Sequence, residues 1–305
     1  MSSERNAPGH TPDSSGPAPG PPVGERSRSP ESGDPAVHSP APGTRAIELD
    51  VEVPGTPEEV WEAVASGPGI SAWFVPAKVD GRVGGTVELD FGPGYGSQAA
   101  TVTAWDPPRR FVAEVTGEGR PVFAAEWLVE ARDGGTCVVR LINSGFGSGA
   151  EWDAEYDATE AGWRLFLYNL RLYLTHFPGQ PSASILVNGK AAGPVPRAYG
   201  ELAATLGLPA GAGKGDRVTA AAPGAPALAG VVERAADGML TLLLEKPSPG
   251  VAFLVAEPAA DGTASASVYA YLFGDGADEA AARDEPAWRA WMQRHFPLPE
   301  QPAGS

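Results

Sequence analysis

The stretch that decides the fold is residues 157–177, which reads DATEAGWRLFLYNLRLYLTHF. Large apolar side chains recur in it at spacings of three and four residues, the period of an α-helix with one broad apolar face. They are Trp163, Phe166, Leu167, Leu170, Leu174 and Phe177. At 1.5 Å per residue the stretch spans roughly 30 Å, enough to cross a whole β-sheet. The pattern predicts a long helix whose aromatic face packs on a sheet.

The sequence before this helix is predicted to supply that sheet. Ile47, Leu49 and Val51 alternate with polar residues, the period of a half-buried strand. Further strand-like runs separated by Gly- and Pro-rich turns follow at residues 87–91, 100–104, 111–115, 123–129 and 137–141. Because such short turns join consecutive strands, the predicted sheet is an antiparallel meander.

One helix is predicted between the first strand and the meander. Thr56 offers a capping hydroxyl, Pro57 stands at the first helical position, and Glu59 follows three residues after the cap. The glycines and proline of residues 67–69 end this helix. The order of strand, helix, meander and long closing helix predicts an α+β fold in which a curved antiparallel sheet grips the closing helix.

Seven dispersed motifs in residues 44–178 resemble a known family. In chain order they are Pro57-Glu58-Glu59-Val60-Trp61, Ala72-Trp73-Phe74, Gly84-Gly85, Asp106-Pro107-Pro108, Gly135-Thr136, Ser144-Gly145-Phe146 and Gly162-Trp163. They are similar to the START-like helix-grip (SRPBCC) superfamily, and within it to the C-terminal domain of the activator of the heat-shock-protein-90 ATPase. The resemblance implies the helix-grip fold, with an apolar cavity between sheet and closing helix. The superfamily includes lipid carriers, cyclases, receptors and chaperone cofactors, so the fold alone names no activity.

Residues 182–297 are predicted to form a shortened second copy of the same unit. The tripeptide His295-Phe296-Pro297 repeats His176-Phe177-Pro178 at an offset of 119, whereas Pro196 matches Pro57 at an offset of 139. The second copy therefore lacks about 20 residues in between, and it has no counterpart of Ala72-Trp73-Phe74. The alternative is that the tripeptide recurs by chance. With fewer aromatic residues, the second copy is expected to be structural or interfacial.

Residues 1–43 are predicted to be a disordered arm, and residues 298–305 a tail. The arm is rich in Pro, Gly and Ser and has no aromatic residue, so it cannot bury enough apolar area to offset its chain entropy.

Charge and cysteine content exclude several classes of function. With 22 Lys and Arg against 38 Asp and Glu, the formal net charge is −16, which disfavours nucleic acid and anionic membrane surfaces as partners. The sequence has no apolar run long enough for membrane insertion. The single cysteine, Cys137, excludes an internal disulfide. We expect a cytoplasmic protein.

The aromatic residues of the first unit are the candidate ligand site. Ordinary core packing is one interpretation of these residues, and the lined cavity that the family resemblance implies is the other. The cavity candidates are Trp73, Phe74, Phe91, Tyr95, Trp105, Phe123, Trp127, Phe146, Trp163, Phe166, Leu170 and Tyr173. Tyr95 and the loop of residues 145–151 are expected to form the cavity mouth.

The remaining reactive side chains have structural interpretations. His176 and His295 both end a predicted helix, where a histidine suits the negative helix terminus. Cys137 is expected to be a small buried apolar residue. The acidic residues 151–160 favour the start of the closing helix more than a metal site. No catalytic residue, metal site or cofactor is predicted.

Three functions are therefore compatible with the sequence. The favoured one is non-catalytic binding of a small apolar or amphipathic ligand in the cavity. The second is a protein-interaction module that binds a chaperone or another protein. The third is a cyclase-type enzyme that uses a polar cavity residue as acid or base.

Overall fold

The computed structural model describes residues 44–92, 96–115, 123–236, 238–259 and 263–298. The predicted arm, residues 1–43, lies outside the described residues, as does the predicted tail except for its first residue. The predictions for both segments stay predictions.

The first half of the chain builds an antiparallel sheet of seven strands in the order β1-β7-β6-β5-β4-β3-β2. The strands are β1 Thr44–Pro54, β2 Ala77–Val79, β3 Thr86–Asp90, β4 Ser97–Asp106, β5 Arg110–Val115, β6 Phe123–Arg132 and β7 Thr136–Gly147. The helices are α1 Pro57–Ala65, α2 Gly67–Ser71 and the closing helix α3 Asp153–His176, which a 3-10 turn at Ala150–Trp152 precedes.

Local sequence explains where these helices begin. The Thr56 hydroxyl accepts a hydrogen bond from the Glu59 amide at 3.3 Å, and the Glu59 carboxylate accepts one from the Thr56 amide at 2.8 Å. This is the predicted capping box. The closing helix begins at Asp153, one turn before the predicted start, because Asp153 and Glu155 stabilise the positive end of the helix.

The second half builds an antiparallel sheet of six strands in the order β8-β13-β12-β11-β10-β9. The strands are β8 Ser182–Ala191, β9 Arg217–Ala220, β10 Leu228–Ala236, β11 Met239–Lys246, β12 Gly250–Pro258 and β13 Ala264–Phe273. Helix α4 Val195–Thr205 follows β8, and helix α5 Ala277–His295 follows β13.

The helix-grip fold is present twice. In each sheet the first strand pairs with the last, and the others follow back in sequence order. The second copy has one strand fewer, and turns at residues 206–216 stand where the first copy has α2 and β2. This replacement shortens the second copy by about nine residues, part of the 20 by which the two sequence offsets differ.

The layers alternate between sheets and helices. One apolar core joins the first sheet, helices α1 to α3, and one face of the second sheet through Val251, Phe253 and Tyr271. The other face of the second sheet forms a separate core with α4 and α5. Both faces of the second sheet are therefore covered, and the first seven residues of β12 are all buried. The two copies thus belong to one compact unit.

In the described part of the chain, none of the helices combines the length and the apolar character needed to span a membrane.

Candidate functional site

A cavity of about 590 Å³ lies between the first sheet and the closing helix. Strands β3 to β7 supply one wall through side chains such as Leu89, Ala113 and Phe123. The turn after α2 and the first half of α3 supply the opposite wall through Phe74 and Trp163. This is the position that the family resemblance implies for the apolar cavity.

Small residues facing one another create the hollow. Ala113 on β5 and Ala125 on β6 are direct cross-strand partners, and Asn143 on β7 continues the same row. Gly162 lines the cavity from α3, and a Cβ atom added to it would meet no heavy atom within 4 Å. Helix and sheet are therefore separated by space at the point where two core layers normally interlock.

Aromatic rings surround this space and hold one another in place. The Phe74 ring lies 4.6 Å from the Phe166 ring and 4.9 Å from the Trp163 ring, measured between centroids. Trp73 packs edge-on against Trp127 at 5.8 Å. Edge-to-face contacts at these distances stabilise aromatic clusters beyond their buried area. The ring positions are therefore fixed by neighbouring rings, so the cavity is preformed.

The structure brings together most of the predicted site residues. Eight of them line the cavity, namely Trp73, Phe74, Phe91, Phe123, Trp127, Phe146, Trp163 and Phe166. Tyr95 lies outside the described residues, so its predicted place at the mouth stays a prediction.

Three predicted residues do not line the cavity. Trp105 packs under α1, 5.1 Å from the Trp61 ring. Tyr173 stacks on Phe273 of the second sheet at 5.6 Å, so it faces away from the first sheet. Leu170 is fully buried in the core that α3 shares with both sheets. Leu170 and Tyr173 were misplaced for the same physical reason. Helix α3 is covered on two faces, one by each sheet, and only the first half of the face towards the first sheet borders the cavity.

The described rim of the cavity includes residues that the sequence did not place at the mouth. The exposed lining residues are Gln98 on β4, Val115 at the end of β5 and Glu155 in the first turn of α3. In the loop of residues 145–151, Gly147 is instead closely covered by the Trp152 ring. The entrance is therefore bordered by strand ends and the start of the closing helix.

Three polar side chains inside the cavity form hydrogen bonds within the protein. The Trp163 indole Nε1 donates to Asn143 Oδ1 at 3.2 Å, and Asn143 Nδ2 donates to the Ala124 carbonyl at 3.1 Å. The Thr159 hydroxyl donates to the Glu155 carbonyl at 2.7 Å. The sequence interpretation missed Asn143, Thr159, Gln98 and Glu155, because nothing in a strand or helix pattern separates a polar residue beside a cavity from one in solvent.

The lining offers little for acid–base or nucleophilic chemistry. Among the described residues it includes no His, Cys, Lys or Arg, and its one carboxyl group, Glu155, lies at the exposed rim. General acid–base catalysis needs a titratable group within hydrogen-bond reach of the reacting atoms. The arrangement can therefore bury and orient an apolar molecule.

The other reactive side chains lie away from the cavity. His176 and His295 are exposed at the ends of α3 and α5. Cys137 is fully buried on β7, and its Sγ donates to the Gly55 carbonyl at 3.4 Å. Burial raises the pKa of the Cys137 thiol, with further contributions from Glu58 and Glu59.

The predicted acidic cluster is dispersed into ion pairs on the surface. Arg45 pairs with Asp153 at 2.8 Å, and Arg164 pairs with Glu160 at 2.5 Å. Within the described ranges, no group of three His, Cys, Asp or Glu side chains is arranged to hold a metal ion.

Comparison with known families decides the classification of the first copy. Residues 54–175 match the family model described as Activator of Hsp90 ATPase homolog 1-like protein. This stretch is a START-like helix-grip unit. The resemblance indicated by the dispersed motifs is confirmed, and the match covers α1, α2, strands β2 to β7 and nearly all of α3. No curated protein matches the chain.

Solved structures similar to the chain match it over about half or over most of its length. The Aha1 dimer from Colwellia psychrerythraea is 20% identical, over 44% of this chain and 99% of that one, with a TM-score of 0.38. CalU16 from Micromonospora echinospora is 22% identical, over 45% and 82%, with a TM-score of 0.36. The di-domain ARO/CYC BexL from the BE-7585A biosynthetic pathway is 17% identical, over 84% and 100%, with a TM-score of 0.39.

Proposed function

We propose that the first copy binds a small apolar or amphipathic molecule in its cavity without converting it chemically. The observation that carries this proposal is a preformed cavity of about 590 Å³ with aromatic and aliphatic walls. Pockets for small molecules measure about 300–1,000 Å³ and are lined mainly by apolar side chains. Burial of apolar ligand surface, at about 25 cal/mol per Å², would supply most of the affinity.

The rim constrains the polar end of the ligand. Among the described residues, Gln98 and Glu155 supply the polar side chains at the entrance, whereas the inner polar groups of Asn143 and Trp163 bond with each other. The Glu155 carboxylate and the net charge of −16 both disfavour an anionic head group there. The proposed ligand is therefore neutral or cationic at its exposed end.

The cyclase-type alternative is less well supported. Its chemistry would need an acid or base inside the cavity, and the described lining has one carboxyl group, at the rim. A protein-interaction function is the second candidate, because the matched family model is named for an activator of a chaperone ATPase. Capture of a bacterial-type Hsp90 by the purified chain would support that candidate. In that case a substitution that fills the cavity should leave the capture unchanged.

A glycine on the closing helix provides a sharp test of the proposed function. Gly162→Leu should fill the hollow, since a side chain there meets open space. The matched control is Gly200→Leu on α4, where an added Cβ also meets nothing within 4 Å and the position is exposed. Both changes remove a helix-interior glycine, which favours the helix by about 0.5–1 kcal/mol.

The expected result separates loss of binding from loss of folding. Wild type and Gly200→Leu should bind neutral polyaromatic compounds, sterols or long-chain amines, read from tryptophan fluorescence and calorimetry. Gly162→Leu should bind at least tenfold more weakly while its thermal midpoint does not fall. Equal affinity in both variants, or no response of the wild-type chain to any of these compounds, would contradict the proposal.

A cytoplasmic location is part of the same proposal. It is supported by Cys137, which is a buried free thiol, as expected in a reducing compartment.

A further inference from the structure

Two consecutive backbone carbonyls behind the cavity are bonded by buried side chains from distant parts of the chain. Asn169 Nδ2 on α3 donates to the Trp73 carbonyl at 2.8 Å. The Tyr271 hydroxyl on β13 donates to the Phe74 carbonyl, also at 2.8 Å. Both carbonyls lie just beyond helix α2, which ends at Ser71, and a buried backbone carbonyl outside a regular helix needs a donor from elsewhere in the chain. These two side chains supply the missing donors.

Tyr271 belongs to the second copy, yet it bonds to a cavity wall of the first. Its side chain is fully buried, and Asn169 lies close enough to affect its ionisation. Tyr269, two residues earlier on the same strand face, packs 6.1 Å from the Phe166 ring. Phe74 and Phe166 both line the cavity. The second sheet thus contacts this wall from behind at two points, the Phe74 carbonyl and the Phe166 ring.

We propose that Tyr271 is a positioning residue for the ligand cavity, through which the second copy fixes the turn at Trp73 and Phe74. The second copy would then set the shape of the cavity in the first copy without touching the ligand. The part of this inference that concerns affinity rests on the proposed function. The part that concerns the turn does not.

The chemistry of the contact favours a permanent constraint. Burial raises the pKa of the Tyr271 phenol well above 10, so the hydroxyl stays protonated and remains a donor at neutral pH. A buried carbonyl that loses its donor also has no water to replace it. Because Phe74 contacts Trp73, Phe91, Trp163 and Phe166, a shift of this turn would be transmitted to four other rings of the wall.

The variant Tyr271→Phe removes the hydroxyl and keeps the ring. The readout is hydrogen exchange at the amides of Ala72, Trp73 and Phe74, which donate to carbonyls of α2. Their exchange should become about tenfold faster relative to the amides of β6, which report global opening. The matched control is Tyr199→Phe on α4, whose half-buried hydroxyl has no hydrogen bond within the described chain. Tyr199→Phe should leave the exchange rates of the turn amides unchanged.

Unchanged protection of the turn in Tyr271→Phe would overturn the inference. If that variant does not fold, native-state exchange of the wild-type chain in increasing urea decides the question. Exchange at the turn amides and at the β13 amides should then depend on urea concentration in the same way. Exchange of the turn amides at lower urea than the β13 amides would overturn the inference.

Ligand affinity provides the second readout. The probe is N-phenyl-1-naphthylamine, which is uncharged and so is not repelled by an acidic protein. Tyr271→Phe should bind it about three- to tenfold more weakly than wild type, and Tyr199→Phe should match wild type. Equal affinity in Tyr271→Phe with faster exchange at the turn would refute the link to the cavity. Absence of probe binding by the wild-type chain would count against the proposed function, while the exchange result would still decide the role of Tyr271 at the turn.

Discussion

The two copies share a strand order but differ in what fills the space between sheet and closing helix. In the first copy, Ala113, Ala125 and Gly162 face one another across a cavity. In the second copy, Trp288 and Trp291 of α5 are 0% and 1% exposed and pack in the core of the second sheet.

The difference shows that side-chain volume, rather than topology, decides whether a helix-grip unit is hollow. Core positions of the second sheet are also small, as Ala252, Ala266 and Ala270 illustrate. There, however, the closing helix carries two large indole rings that pack with these alanines in one core. In the closing helix of the first copy, Gly162 borders the cavity and leaves open space beside the sheet. A cavity therefore needs small residues on both walls.

The comparison of the two copies predicts the largest loss of stability for substitution of Trp288. Trp288→Ala should lower the free energy of unfolding by about 3–5 kcal/mol, the range for removing a large aromatic side chain from a closed core. Urea denaturation followed by circular dichroism measures this loss. The Trp288 indole nitrogen is buried without a hydrogen-bond partner in the described structure, so Trp288→Phe should cost clearly less than Trp288→Ala. Equal losses in both variants would contradict a filled core.

A smaller effect is expected at Phe166 on the wall of the cavity. Because one side of this ring already faces open space, Phe166→Ala should cost about 1–2 kcal/mol, less than the roughly 3–5 kcal/mol of a closed site. The same urea experiment compares it with Trp288→Ala. A loss as large as that of Trp288→Ala would show that the first copy is as tightly filled as the second.

The face between the copies predicts a pH effect. Glu257 on β12 accepts a hydrogen bond from the Tyr269 hydroxyl at 3.4 Å, and burial raises the pKa of its carboxyl group above 4.5. Folding therefore favours the protonated form, and stability falls as pH rises through the folded-state pKa. Glu257→Gln should be more stable than wild type at neutral pH, and the difference should shrink as pH falls towards 4.5. If the urea midpoints of Glu257→Gln and wild type differ by the same amount at every pH, a buried Glu257 charge on this face would be refuted.

Cys137 allows the coupling between the copies to be measured without a change in the first copy. Its raised thiol pKa and full burial predict that 5,5′-dithiobis(2-nitrobenzoic acid) labels the native chain at least about a hundredfold more slowly than the urea-unfolded chain. Trp288→Ala should accelerate labelling, because α3 packs on both sheets and the copies open together. An unchanged labelling rate in that variant would show that they open separately.

Much of the fold could be predicted because each element has a local signature. The alternation from Ile47 to Val53 gives β1, and the capping box at Thr56 starts α1. The short strands Ala77–Val79 and Arg217–Ala220 were not predicted, since three or four residues are too few to show a period.

The candidate site was predicted less completely than the fold. Ring size pointed to Trp163 and Phe166, but the same helix carries Tyr173 and is followed by Phe177, which both stack on Phe273 instead. Both apolar surfaces of α3 are covered, one by each sheet. Helical periodicity alone cannot show which of them borders the cavity. Trp105 was misplaced for a related reason: its position on the inner side of the sheet is right, but α1 covers that end of it.

The position of α3 between the two sheets has a consequence for biosynthesis. Tyr173 and Phe177 stack on Phe273, the last residue of β13, which lies 97 residues beyond the last residue of α3 at His176. At about 5–20 residues per second, translation takes roughly 5–20 s to supply that cover. During this interval an aromatic surface on the closing helix of the first copy remains open to other proteins. The final strand of the second sheet, β13, is thus the segment whose synthesis ends the exposure of the first copy on the ribosome.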